Sequence, residues 1–162
     1  PKTPRRQRQM CIRDRCNLMS DFDPAQFFRN DSPAAPAAAK HLGFEFQDAD
    51  TARGWIKIKF NPKPEFLNPA GVIQGGFLMA MLDDTMGPAV LVKSGGKYMS
   101  SSIDLHAHYL RPVRLGPVVC EAEVTQLGRS VAYLESKLFD ERGRLCVRAT
   151  SSAMLMKFPT PE

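Results

Sequence analysis

One long apolar stretch governs what this chain can become. It runs Asn68-Pro-Ala-Gly-Val-Ile-Gln-Gly-Gly-Phe-Leu-Met-Ala-Met-Leu-Asp-Asp-Thr-Met-Gly87. A glycine pair opens a helical run that continues to about residue 92, and Ser94-Gly95-Gly96 closes it. Two acids interrupt the run about two turns after the glycines. A carboxylate in apolar surroundings is costly unless it is paired or solvated, so its presence there calls for an explanation. Pro88 also lies inside the run, and a mid-helix proline removes a backbone bond at about 3 kcal/mol. A kink or an early end is expected near Gly87-Pro88.

The segments on either side read differently. Residues 21–41 are weakly helical, punctuated by Pro24, Pro33 and Pro36, with Asp23 or Asp31 as a cap and residues 34–40 as a second short helix. Residues 43–60 read as strand. Phe44 and Phe46 alternate with polar neighbours, Ile56, Ile58 and Phe60 share one face, and Trp55, Lys57 and Lys59 share the other. A proline-rich loop (Pro62, Pro64, Pro69) leads into the helix. Four more strands are expected at residues 99–110, 118–127, 130–140 and 145–156, the last two joined by Glu141-Arg-Gly-Arg144. The order of elements is strand, long helix, then antiparallel strands. The expected class is α+β, one buried helix packed on one sheet.

Composition matters here chiefly through its distribution. The 162 residues carry a net charge of +5, and residues 1–18 hold all of it, with six basic side chains and one acid. The string Arg5-Arg-Gln-Arg-Gln-Met-Cys-Ile-Arg-Asp-Arg15 has no structural period and resembles an in-frame translation of a sequencing-library adaptor. Residues 1–18 are expected to be a non-native scar or disordered tail, with the native start at Met19. The competing reading is a basic arm for nucleic acid or an anionic membrane. The rest of the chain is neutral, so the charge gives no support for a nucleic-acid partner. Residues 19–162 suffice for one domain with a sizeable core. Cys11 and Cys16 fall in the tail, while Cys120 and Cys146 lie in strand-like runs without metal-ligand spacing and read as buried thiols. No run of 18 apolar residues indicates a membrane helix, and the expected compartment is cytoplasmic.

The helix start has a chemical use. Its first N–H groups lack intrahelical partners and carry the positive end of the helix dipole. Gly75 and Gly76 leave those groups unshielded, so a developing oxyanion could be stabilised there. Two glycines would equally allow a tight loop-to-helix turn. Asp83 lies seven residues after Gly76, on the same helical face, and Asp84 is rotated about 100° away. A carboxylate there could activate water or attack directly. The alternative is that both acids face solvent. Gly75 and Asp83 are about 12 Å apart along one helix, so a site using both needs a second, antiparallel copy of that helix.

These residues, together with Ser102-Ile-Asp-Leu105 and Tyr109-Leu-Arg-Pro112, resemble the hot-dog-fold acyl-CoA thioesterases, most closely the phenylacetate-degradation type. The resemblance spans residues 42–156, with further echoes at Gly128-Arg129 and Asp140 to Gly143. It implies a central helix wrapped by an antiparallel sheet of about five to six strands, paired into a homodimer or homotetramer with active sites at the dimer interface. It implies that Asp83 is the catalytic acid and that the Gly75 amide polarises the thioester carbonyl. It further implies that Asn68 places substrate or water and that Ser102 supports the attacking water. Coenzyme A would be part of the substrate, and no cofactor or metal is expected. Many members carry histidine before the two glycines, where this chain has Gln74. Glutamine can hold a carbonyl but cannot titrate near neutral pH.

Gly76, Arg111 and Arg129 are candidate coenzyme A contacts, with Arg114 and Arg148 as further cations for its phosphates. His106 and His108 lack a third metal ligand and read as ordinary strand residues, as does lone His41. Two rivals share the fold. A hydratase or dehydratase would want a histidine near the acid, and none occurs from Asn61 to Leu105. A non-enzymatic acyl-CoA-binding or regulatory module is kept open by Gln74.

Overall fold

The computed structural model describes residues 22–29 and 35–158. The stretch read as a scar, with Met19 and Asp31, lies outside the described residues. Helix α1 (Pro24–Phe27) is capped by Asp23, whose carboxylate accepts from the Ala25 amide at 2.9 Å. Helix α2 (Ala37–Leu42) ends at Gly43, in the left-handed region at φ 78°. A Cβ there would lie 2.7 Å from the Asn61 carbonyl oxygen, so only glycine fits.

Residues 43–60 form a hairpin rather than one continuous strand. Strand β1 (Phe44–Asp50) pairs antiparallel with β2 (Trp55–Phe60), Phe44 opposite Phe60. The turn closes at Gly54, φ 73°, whose amide donates to the Asp50 carbonyl at 2.8 Å. A 3-10 turn (Pro64–Phe66) and a loop lead to α3 (Gly75–Lys93). Strands β3 (Tyr98–Tyr109), β4 (Val118–Leu127), β5 (Val131–Phe139) and β6 (Leu145–Lys157) follow. The six strands make one antiparallel sheet in the order β1-β2-β4-β5-β6-β3.

Helix α3 lies on one face of that sheet. Leu78, Met81, Leu82, Met86, Ala89, Val90 and Val92 pack against the inward side chains of the strands, among them Ile56, Ile58, Cys120 and Leu138. Of the kink or early end expected near Gly87-Pro88, the early end does not occur: α3 continues as α-helix to Lys93. Pro88 has no N–H for the Asp84 carbonyl, at about 3 kcal/mol. Burial of Met86 and Val90 on either side, at about 1.5–3 kcal/mol each, offsets that loss. Cys120 and Cys146 are free and buried, as their strand context suggested.

Strand β3 forms one edge of the sheet, and its outer edge has no partner among the described residues. The strand carries a bulge. Its register with β6 passes from Ser102↔Ala153 to Asp104↔Ser152, which makes Ile103 the extra residue. Before the bulge, Ser100 and Ser102 turn toward α3. After it, the parity changes: Leu105 and Ala107 pack inward, and Tyr109, half exposed, reaches the start of α3. In an unbroken strand, Ser102 and Tyr109 would point to opposite faces.

Candidate active site

The loop before α3 is closely tied. The Asn68 side-chain oxygen accepts from the amides of Ala70 (2.9 Å) and Val72 (3.3 Å), an Asx turn that shapes the loop. Ile73 donates to the Val113 carbonyl and Gln74 to the Phe66 carbonyl, both at 2.8 Å. Phe66 in turn stacks on Phe77, ring centres 4.1 Å apart. These bonds set the angle at which α3 begins.

At that start, the Gln74 side chain makes no capping bond and is exposed. The Phe77 amide is satisfied by the Gln74 carbonyl at 2.9 Å. The amides of Gly75 and Gly76 have no acceptor among the described residues. A Cβ on Gly76 would meet only open space, whereas one on Gly75 would lie 3.2–3.3 Å from the Tyr109 ring and hydroxyl. Two unused donors thus stand at the positive end of a 19-residue helix, with Gly76 exposed and Gly75 half-buried beside Tyr109.

The acids lie two turns further on and differ sharply. Asp83 is exposed on the single chain, on the side of α3 that adjoins β3, and the Ser102 hydroxyl donates to its Oδ1 at 2.7 Å. Asp84 is half-buried, and its Oδ2 is sealed from water with no hydrogen-bond partner among the described residues. Burial first, and then the charge of Asp83, pushes the Asp84 carboxyl up to about 6. The acid that bears the desolvation cost is therefore Asp84, while Asp83 is the one held by a neighbour. Since α3 is continuous, Gly75 and Asp83 stand about 12 Å apart and do not meet within one chain.

Arg111 lies beside the helix start. It lines a pocket of about 290 Å³ with Ile73, Gly75, Leu78, Tyr109 and Val113, and its Nη1 donates to the Leu145 carbonyl at 2.6 Å. An adjoining groove of about 360 Å³ shares Arg111 and Pro112 and adds Arg114, Arg142 and Arg144, with Asp140 and Glu141. Arg144 pairs with Asp140 at 2.6 Å and holds that carboxyl below the usual carboxylate range. Arg114 and Arg142 have no acidic partner within the groove's described residues. Arg129 is not part of this cluster: it sits in the β4–β5 turn, at the opposite end of β4 from Val118. Arg148 and His108 line a separate pocket. Among the described residues no group of three potential ligands could hold a metal. Sequence reasoning missed Arg142, Arg144 and the contacts of Tyr109. The first two were hidden in a turn, although its two arginines around a glycine were readable.

One long helix packed against a six-stranded antiparallel sheet is the hot-dog architecture. The sequence profile of the thioesterase superfamily matches residues 70–147. The chain is 30% identical to a phenylacetic acid degradation-related protein of Ralstonia eutropha JMP134, covering 83% of this chain and 99% of that one, with a TM-score of 0.74. A thioesterase of Haemophilus influenzae superimposes with a TM-score of 0.69 at 24% identity, over 76% of this chain and 85% of the other, a likeness of fold. A Buchnera aphidicola protein named as an uncharacterized acyl-CoA thioester hydrolase is 36% identical over 81 residues, 48% of this chain and 58% of that one. The chain belongs to the thioesterase superfamily and has its hot-dog fold.

Proposed function

We propose that this protein hydrolyses an acyl-CoA or closely related thioester, at sites formed where two protomers pair. The observation that carries the reading is a pair of groups on one helix: amides without acceptors among the described residues at Gly75 and Gly76 at its start, and a carboxylate at Asp83, two turns on, held by Ser102. They are too far apart to act within one chain. In a two-fold pair with antiparallel helices, Asp83 of one protomer faces Gly75 of the other. The Gly75 amide then polarises the thioester carbonyl and receives the oxyanion charge. Asp83 activates water or attacks the carbonyl, and its bond from Ser102 leaves Oδ2 for that task. Gln74 and Asn68 flank the carbonyl. The thiolate leaves without needing a strong acid, which makes Gln74 compatible with turnover.

The arginine groove supports a phosphorylated carrier. Of its four guanidinium groups one is neutralised by Asp140, and Glu141 opposes a second, so the groove keeps an excess of positive charge. It continues directly from the less charged pocket beside Gly75 through Arg111 and Pro112. A ligand with a reacting acyl end and a phosphate-bearing tail matches that gradient.

The test is thiol release from a panel of aryl, medium-chain and hydroxylated acyl-CoAs. Wild type should turn over at least one class. Asp83→Asn should lose about 100-fold or more, and Asp84→Asn much less. Gln74, which cannot titrate near neutral pH, favours a second reading, an acyl-CoA-binding module without chemistry. Equal binding by wild type and Asp83→Asn, with no thiol released by either, would select that reading.

A further inference from the structure

We propose that Tyr109 is a positioning residue of this site, and that through it the Gly76 amide serves as a second oxyanion donor beside Gly75. The inference rests on the hydrolase reading above and adds to it a group that the motif comparison gives no role.

The Tyr109 hydroxyl donates to the Gly75 carbonyl at 2.9 Å. That carbonyl and the Gly76 N–H are the two ends of one planar peptide unit. A hydrogen bond at the oxygen fixes the plane and further polarises the N–H at the other end. Gly76 is exposed, and a Cβ on it would meet nothing within 4 Å, so no side chain crowds that end of the peptide unit. Tyr109 is itself firmly placed. Its backbone is in register with Val147, and the amides of Leu110 and Arg111 both donate to the Cys146 carbonyl, at 2.8 and 3.2 Å. The ring fills the space where a side chain at position 75 would sit, and it walls the pocket beside the helix start. The bulge at Ile103 is what turns Tyr109 toward α3, on the same face as Ser102. One edge strand therefore contacts both groups of the helix that the reading uses, the acid through Ser102 and the helix start through Tyr109.

The experiment compares kcat and KM for wild type, Tyr109→Phe and Tyr109→Ala on aryl and straight-chain acyl-CoAs, with thermal unfolding alongside. Removing a direct oxyanion donor costs a factor of about 100 to 1,000, and loosening one costs less. Tyr109→Phe keeps the ring, so kcat should fall about tenfold, with KM within twofold and the unfolding midpoint nearly unchanged. A packing role alone would not produce that split. Tyr109→Ala should lose at least as much kcat and shift preference toward bulkier acyl groups. Wild-type kcat in Tyr109→Phe overturns the inference while leaving the hydrolase reading intact. A wild type inert toward the whole panel overturns the hydrolase reading and this inference with it.

Discussion

Neighbouring acids with opposite surroundings are the clearest lesson among single residues. Asp83 is open and hydrogen-bonded, whereas Asp84 is half-buried with an oxygen that no described residue satisfies. The raised pKa of Asp84 means that the unfolded chain loses its proton more readily than the folded one. Its burial is tolerated below about pH 4, and stability is lost as pH rises from there through about 6. Asp84→Asn removes that loss. At pH 7.5 it should stabilise the protein by about 1–2 kcal/mol, after allowing for water at the exposed edge of the carboxylate. At pH 3.5 the gain should vanish, and denaturant unfolding at the two pH values reads the difference. Ser102→Ala tests the other acid. It should leave stability within about 0.5 kcal/mol and lower kcat, because an exposed hydroxyl contributes little to folding yet orients the Asp83 carboxylate.

Helix α3 and strand β3 show how elements overrule local preference. Pro88 is a helix breaker by propensity, yet the helix passes through it, because buried side chains on both sides bind it to the sheet. Pro88→Ala restores a donor to the Asp84 carbonyl. It should raise stability by about 1–3 kcal/mol in urea unfolding, with turnover unchanged. In β3, alternation is the pattern that makes a strand readable, and one inserted residue reverses it. Deleting Ile103 restores the alternation and sends either Ser102 or Tyr109 to the outer face. Loss of turnover by more than about 100-fold is expected in a chain that keeps its β-sheet circular dichroism signal.

For the molecule as a whole, the edge of β3, unpaired among the described residues, and the separation along α3 point the same way. An unpaired edge strand is a template for another strand, and Ile103 on it is 59% exposed. If a second protomer pairs there, Ile103→Glu should yield monomers in sedimentation and lose turnover together with self-association. The arginine groove predicts a separate behaviour. Arg114→Ala and Arg142→Ala should each raise KM for acyl-CoA about three- to tenfold, but not for an acyl thioester of N-acetylcysteamine, which has no phosphates. The same KM should rise with ionic strength, because exposed charges are screened.

Much of this protein can be read from local pattern. Alternation placed β4, β5 and β6 to within about a residue, since side chains on a half-buried strand must alternate whatever surrounds them. The spacing from the glycine pair to Asp83 is readable from helical geometry, which keeps Gly75 and Asp83 about 12 Å apart within one chain. What local pattern left undetermined depends on distant partners. The hairpin turn at Gly54 lay inside the stretch 43–60 read as strand, and the passage of α3 through Pro88 depends on burial against strands far away in sequence. The exposure of Asp83 and the sealing of Asp84 depend on which flank of α3 the edge strand covers. The Tyr109 contact joins residues 34 apart through a bulge that no local preference announces. Periodicity is a property of neighbours in the chain, whereas burial, register and hydrogen-bond partners are set only when the sheet closes around the helix.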